Sequence, residues 1–291
     1  MRKLTALHDR FGIEISDIQL ADLTKKDGYP EIRDLFEQHS LLLFRSQQFS
    51  DAQHLALAQL FGPIEDRDPG VDGPEAKISP LSNVGDNEQV IDEHDLHVLQ
   101  LKSNQFWHTD STFIPQPALT NILRADVLPS SGGETEFVST RVAWQDLPES
   151  LKGRTRERVF CHRFAHSRQK ISKQLAQQTV IAKWSDQRWR SLWRNPVNGE
   201  DSLYLASHIF AVEGMDKAAG EALINDLVSF ATQEQYVYSH QWKTGDVLIW
   251  DERATLHRGK PWPYHEARSL KSVCVTVRDC DGLHLLQPGS P

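Results

Sequence analysis

Residues 104–113 read NQFWHTDSTF, and the fold turns on how that run is placed. Its aromatic and β-branched residues, from Phe106 to Phe113, predict a strand. In a strand, residues i and i+2 project to the same side. Phe106, His108 and Asp110 would then share one face, with Trp107 and Thr109 on the other. An imidazole beside a carboxylate is a two-armed chelate for a divalent metal. An isolated H-x-D is more often a satisfied polar pair, so a metal reading needs a third donor from elsewhere.

Strand signals continue outward from this run, at 119–126, 134–138, 158–166 and 202–207, and in YVYSHQW (236–242), DVLIWD (246–251) and SVCVTVRD (272–279). Upstream, SLLLFR (40–45) reads as a buried strand. A helix follows it: Ser50 and Gln53 form a capping box, Leu55, Leu57, Ala58 and Phe61 supply the apolar side, and Gly62-Pro63 ends it. A second helix is predicted over 217–231, with Leu223, Ile224, Leu227, Val228 and Phe230 at helical spacing. Many short strands with a few helices predict a mainly β barrel or sandwich with helical buttresses. There is no β-α-β alternation and no G-x-G-x-x-G, which argues against a dinucleotide-binding fold. Residues 65–97 are rich in Asp, Glu, Gly and Pro, and a connection of that length predicts an active-site lid, reaching to about residue 102.

Composition narrows the class. The chain has 291 residues, 39% hydrophobic and 25% charged, enough for one domain (1–291) with a sizeable core. No apolar run approaches the roughly 18–20 residues that a membrane span requires, and MRKLTALHDRFGIEI lacks the apolar centre of a signal peptide. Cys161, Cys274 and Cys280 are scattered without C-x-x-C spacing, which points to a reducing, cytoplasmic setting. A formal charge of −8 gives no electrostatic support for binding nucleic acid or an anionic membrane, leaving small-molecule or protein partners. The basic, Trp-rich WSDQRWRSLWRN (184–195) is expected to be a helix or loop that packs Trp184, Trp189 and Trp193 on the barrel.

WDERATLHRG (250–259) offers His257 as a candidate for that third donor. Two histidines and one carboxylate on one face of an ion leave three positions open, the ligand set of non-haem Fe(II) oxygenases. A zinc hydrolase can use the same ligand types, so donor identity alone leaves the metal open.

Taken together, LLLFRSQQFSDAQHLALAQLFGPIE, NQFWHTDSTF, LPSSGGETEF, YVYSHQWKTGDVLIWDERATLHRG and HEARSLKS resemble, in this order, the taurine dioxygenase / 2,4-dichlorophenoxyacetate dioxygenase family of Fe(II)- and 2-oxoglutarate-dependent oxygenases. The resemblance implies a double-stranded β-helix (jelly-roll, cupin-like) core, with His108, Asp110 and His257 as iron ligands. It places Arg268 on the far carboxylate of 2-oxoglutarate, where a guanidinium can pair through two parallel bonds, and Thr135 beside the same co-substrate. Asn104 and His208 fall at positions that contact the primary substrate. With O2 as the other co-substrate, the implied reaction yields succinate and CO2 while a small substrate is hydroxylated or an ether bond is oxidatively cleaved. Desaturation or tailoring of an amino-acid-derived metabolite, or a metal-binding module without catalysis, are the alternatives. Family members are often dimers or tetramers, so a homo-oligomer is expected.

The chain departs from the family at Ser272, where relatives that bind sulfonates or carboxylates usually carry a second arginine. Strand parity puts residue 272 on the face of Arg268 and Lys271 on the other. The lid is acidic, with Arg67 and Lys77 its only cations before Lys102. An anionic substrate would then be poorly compensated, so neither taurine nor 2,4-dichlorophenoxyacetate is expected to be turned over at the rate of a dedicated enzyme.

Overall fold

The computed structural model describes residues 3–48, 50–66 and 77–289. Its strands are β1 (Leu4–Ala6), β2 (Ile13–Ile15), β3 (Leu41–Phe44), β4 (Ser79–Ser82), β5 (Ala118–Val127), β6 (Thr135–Ser139), β7 (Val159–His162) and β8 (Gln187–Arg190). They continue as β9 (Leu192–Arg194), β10 (Asp201–Leu203), β11 (Ile209–Val212), β12 (Val237–His240), β13 (Val247–Asp251), β14 (Thr255–Gly259) and β15 (Ser269–Thr276). Seven of them form the main sheet, in the order β1-β2-β3-β13-β5-β15-β4. A second sheet has the order β12-β6-β14, and a third the order β11-β7-β8. Every pairing is antiparallel except β2 with β3.

The main sheet is buried on both faces, which is why its central strands are continuous apolar runs rather than alternating ones. Leu41 and Leu43 of β3, Leu248 and Trp250 of β13, and Leu123 of β5 point one way and meet Phe137 of the second sheet. Leu42, Phe44, Val247, Ile249 and Ile122 point the other way, onto the helices Tyr29–His39 and Asp51–Phe61 through Ile32, Phe36, Leu55, Ala58 and Phe61. The outer face of the second sheet, through Val138 and Leu256, packs on the helix Lys217–Ala231 through Leu223, Leu227 and Ala231. Two facing sheets therefore enclose an interior without closing into a barrel.

Several elements form as their sequence dictates. The capping box is present: the Gln53 amide donates to Ser50 Oγ at 3.3 Å, and the Ser50 amide to Gln53 Oε1 at 2.9 Å. The second helix covers Lys217–Ala231, with Asp216 accepting at its N-terminus from the Ala219 amide.

Three segments differ from expectation. Residues 104–113 are not a strand. After a 3-10 turn at Ser103–Gln105 the chain makes a single bridge, His108 with His257, and Ser111 turns into the left-handed region (φ 57°). The physical reason is that side chains take over the backbone's hydrogen bonds: the Asp110 amide donates to Glu252 Oε2 at 2.9 Å instead of to a neighbouring strand. The run 158–166 divides, with β7 ending at His162 and a helix, Phe164–Gln169, beginning two residues later. WSDQRWRSLWRN forms β8 and β9 rather than a helix or loop, yet Trp189 and Trp193 are buried and donate to the carbonyls of Thr112 and Gly282. Part of the expected lid, 65–102, is regular: β4 adds to the edge of β15, and Leu96–Lys102 is helical. Residues 67–76 of that lid, Arg67 among them, lie outside the described residues. Among the described residues no helix is long and apolar enough to cross a membrane.

Candidate active site

The interior between the sheets opens into a cavity of about 190 Å³, and all eight site residues picked out in the sequence line it. His257 comes from β14, whose register sets it opposite Phe137 of β6. His108 is held against it by paired backbone bonds: the His108 amide donates to the His257 carbonyl at 3.0 Å, and the reverse bond is 2.9 Å. Asp110 follows within the irregular turn. His108 Nε2 lies 3.7 Å from Asp110 Oδ1, and His257 Nε2 lies 3.8 Å from Asp110 Oδ2. The three donor atoms all fall within 4.8 Å of one another. That span suits one ion with bonds of about 2 Å to each donor after small adjustments.

The chemistry of the donors fits a metal. Burial is the largest influence on both imidazoles and holds His108 below its usual pKa and His257 at about 3, so each presents a lone pair at neutral pH. His108 Nδ1 donates to the Phe106 carbonyl at 2.7 Å, which fixes the tautomer and leaves Nε2 as the donor atom. His257 has no such partner among the described residues; its ring packs among His108, Phe137 and Trp250. Asp110 is steered by Asn121, whose Nδ2 donates to Oδ2 at 2.7 Å. Ser272 Oγ in turn donates to Asn121 Oδ1 at 2.8 Å. The buried Glu252, which holds the Asp110 amide, has its pKa pushed well up, first by burial and then by the Asp110 charge.

A second feature lies on the same wall. Arg268 is buried, and burial draws its pKa down to about 10. One amino group donates to the Gly133 carbonyl at 2.9 Å, and the guanidinium lies 4.9 Å from the Trp262 ring centre. Its Nε is buried with no hydrogen-bond partner among the described residues. A guanidinium desolvated in this way, with no carboxylate in salt-bridge contact among the described residues, suits an anion that arrives with a ligand. Gly133 makes the approach possible: its φ is 73°, and a Cβ there would come 2.9 Å from Arg268 Nε. Asn83 sets the backbone, accepting from the Arg268 amide at 2.8 Å while its own amide group donates to the carbonyls of Tyr264 and Glu266. Thr135 Oγ1 accepts from Trp242 Nε1 at 3.0 Å, which orients the hydroxyl in the same cavity.

Strand parity at residues 268–272 holds: Arg268 and Ser272 both line the cavity, whereas Lys271 Nζ turns away to Asp51 at 2.8 and 3.0 Å. Asn104, from the 3-10 turn, and the fully buried His208 form part of the remaining wall. Sequence reading missed Asn83, Asn121, Arg168, Trp242 and Glu252. Nothing in their local sequence marks them, because each acts on a partner far along the chain.

The comparisons with known proteins agree with this arrangement. Residues 2–274 match the model of the taurine catabolism dioxygenase TauD, TfdA family. The chain belongs to the TauD/TfdA family. It is 31% identical over 270 residues to the alpha-ketoglutarate-dependent 2,4-dichlorophenoxyacetate dioxygenase of Cupriavidus pinatubonensis, covering 91% of this chain and 94% of that one. It is 32% identical over 277 residues to the (S)-phenoxypropionate/alpha-ketoglutarate-dioxygenase of Delftia acidovorans, covering 92% of each. Among solved structures it superposes on AAD-2 in complex with Mn(II) and N-oxalylglycine with a TM-score of 0.87, at 29% identity, over 94% of this chain and 97% of that one. The core is accordingly the jelly roll of the TauD/TfdA family, and this member is a dioxygenase that works with Fe(II), 2-oxoglutarate (alpha-ketoglutarate) and O2.

Proposed function

We propose that His108, Asp110 and His257 hold the ferrous ion, and that Arg268 with Thr135 receives the far carboxylate of 2-oxoglutarate. Asn104 and His208 then face a small organic substrate, aryloxyalkanoate-like or another small carboxylate, which is hydroxylated or cleaved at an ether bond. With iron in place, the site couples decarboxylation of 2-oxoglutarate to succinate and CO2 with oxidation of that substrate by O2. The chain's own contribution is placement. Arg268 fixes one end of the co-substrate, Asn121 and Phe106 fix the metal donors, and the aromatic walls exclude water from the reacting atoms. The observation that carries the reading is the buried Arg268, poised for a carboxylate in the cavity that holds the histidine–aspartate–histidine cluster.

The position of Ser272 gives its side chain a different task from the one the family's arginine performs, since it is engaged with Asn121. We place the enzyme in the cytoplasm, in keeping with three cysteines that form no disulfide, and take it to act as a single domain in a homo-oligomer (dimer or tetramer), without nucleic-acid or membrane partners. The test is succinate release from 2-oxoglutarate with aryloxy acids, sulfonates and amino-acid derivatives, with and without added Fe(II). Release that depends on iron and is abolished in His108→Ala supports the reading. Iron-independent release, or none with any member of the panel, refutes it.

A further inference from the structure

We propose that Arg168, from the helix Phe164–Gln169, receives the anionic group of the substrate in place of the arginine absent at position 272, with the flat apolar wall beside it taking the substrate's body. The proposal rests on the reading of this cavity as the oxidation site.

Ser272 cannot serve as the anchor, because its hydroxyl is committed to Asn121 and carries no charge. Arg168 lines the same cavity as the histidine–aspartate–histidine cluster and is buried. Its guanidinium is held in place by neutral groups: Nε donates to Gln100 Oε1 at 3.3 Å and Nη1 to Ser167 Oγ at 2.9 Å, and its carbon lies 4.1 Å from the Phe164 ring centre. Those contacts fix its plane without themselves neutralising it. An acidic side chain that pairs with Arg168 in the unliganded chain would be exchanged for the incoming anion, so the assignment does not depend on Arg168 being unpaired.

Ser167 extends the anchor. Its Oγ accepts from Arg168 and lies 2.9 Å from His208 Nδ1. The same hydroxyl donates to the Phe164 carbonyl at 3.2 Å, so Arg168 and His208 are tied together through one fixed Ser167 side chain. The shared hydroxyl holds the Arg168 cation and the imidazole in register on one wall, where an oxyanion would meet the cation.

The apolar part follows from the neighbouring wall. The rings of Phe113 and Phe164 stack with centres 3.8 Å apart and planes 14° apart, and His208 meets Phe113 edge-on at 5.1 Å. These flat faces suit an aromatic or short alkyl body.

The experiment measures binding, which separates this inference from the reaction. Protein loaded with Mn(II) and 2-oxoglutarate under nitrogen is titrated calorimetrically with phenoxyacetate, with hexyl sulfate and with the neutral phenoxyacetamide. Wild type should bind at least one of the two anions more tightly than the amide, and the better anion identifies the headgroup as carboxylate or sulfate. Arg168→Met should weaken that anion at least about thirtyfold and the amide by less than about threefold, Arg168→Gln should do likewise, and Arg168→Lys should restore part of the preference. Binding of neither anion by wild type overturns the inference. So does equal weakening of anion and amide in both neutral variants, or an anion affinity unmoved in a variant whose circular dichroism and metal affinity match wild type. If one neutral variant fails to fold, the other carries the comparison, with Arg168→Lys as the check on charge. Failure of iron-dependent succinate release with intact anion selectivity would instead count against the proposed reaction.

Discussion

Removal of the Asn121 side chain isolates the support that the fold gives to one metal donor. Asn121 Nδ2 donates to Asp110 Oδ2 at 2.7 Å, and it is kept the right way round because Ser272 Oγ donates to its Oδ1 at 2.8 Å. A hydrogen bond to a carboxylate contributes about 1.5–3 kcal/mol. If that energy serves only the orientation that binds metal, Asn121→Ala should weaken divalent-metal affinity by roughly 10–100-fold, the range found for partners of metal ligands. Ser272→Ala should cost less, roughly three- to tenfold, because the amide survives but is free to flip and to turn an acceptor toward Asp110. Ser272→Arg should also lose the lock, so inserting the family's arginine here should weaken metal binding rather than simply add a grip on substrate. The assay is competition for Co(II) or Mn(II) against a chromogenic chelator at pH 7.5, with circular dichroism to establish folding. Metal affinity within twofold of wild type in a folded Asn121→Ala protein would refute the reasoning, as would a larger loss in Ser272→Ala than in Asn121→Ala.

Three further outcomes are expected. Arg268→Met should raise the KM for 2-oxoglutarate at least about a hundredfold without lowering the apo-protein Tm, because burial that pulls the Arg268 pKa to about 10 means the charge is held against a desolvation cost; a fall of several degrees by differential scanning fluorimetry would contradict this. Gly133→Ala, at φ 73° and with its new methyl 2.9 Å from Arg268 Nε, should lose about 1–2 kcal/mol of stability and raise the same KM, measured by urea denaturation and steady-state kinetics. For His162, burial alone holds the folded pKa at about 3. The unfolded chain therefore takes up the proton first, and the contribution is full above about pH 6.5 and is lost as pH falls through the window between about 6.5 and 3. Between pH 7.5 and 5.5, wild type should lose about 1.4 kcal/mol more stability than His162→Gln, and equal losses in urea melts at the two pH values would count against the buried neutral imidazole.

The sequence by itself determined what is encoded within a few residues. The run 40–45 reads as a buried strand and 246–251 as a β-rich run, and they form Leu41–Phe44 and Val247–Asp251; Ser50 with Gln53 marked a helix start that side-chain caps then made. The ordered motifs around His108, Asp110, His257, Thr135 and Arg268, read by family resemblance, picked out residues that line one cavity.

Only the tertiary structure decided how those residues are held. Residues 104–113 look like a strand, but Glu252, 142 positions from Asp110, takes the backbone bond that a neighbouring strand would have taken. Ser272 looked like a missing anchor until its hydroxyl was seen on Asn121, 151 positions away. Arg168 lies two residues beyond the run 158–166, which reads as β but turns helical after His162, and that helix brings its guanidinium to the cavity wall. The physical reason is the same in each case. A local pattern reports a residue's preference for helix, strand or turn, whereas a buried polar contact depends on which distant side chain the packing of two sheets brings within 3 Å.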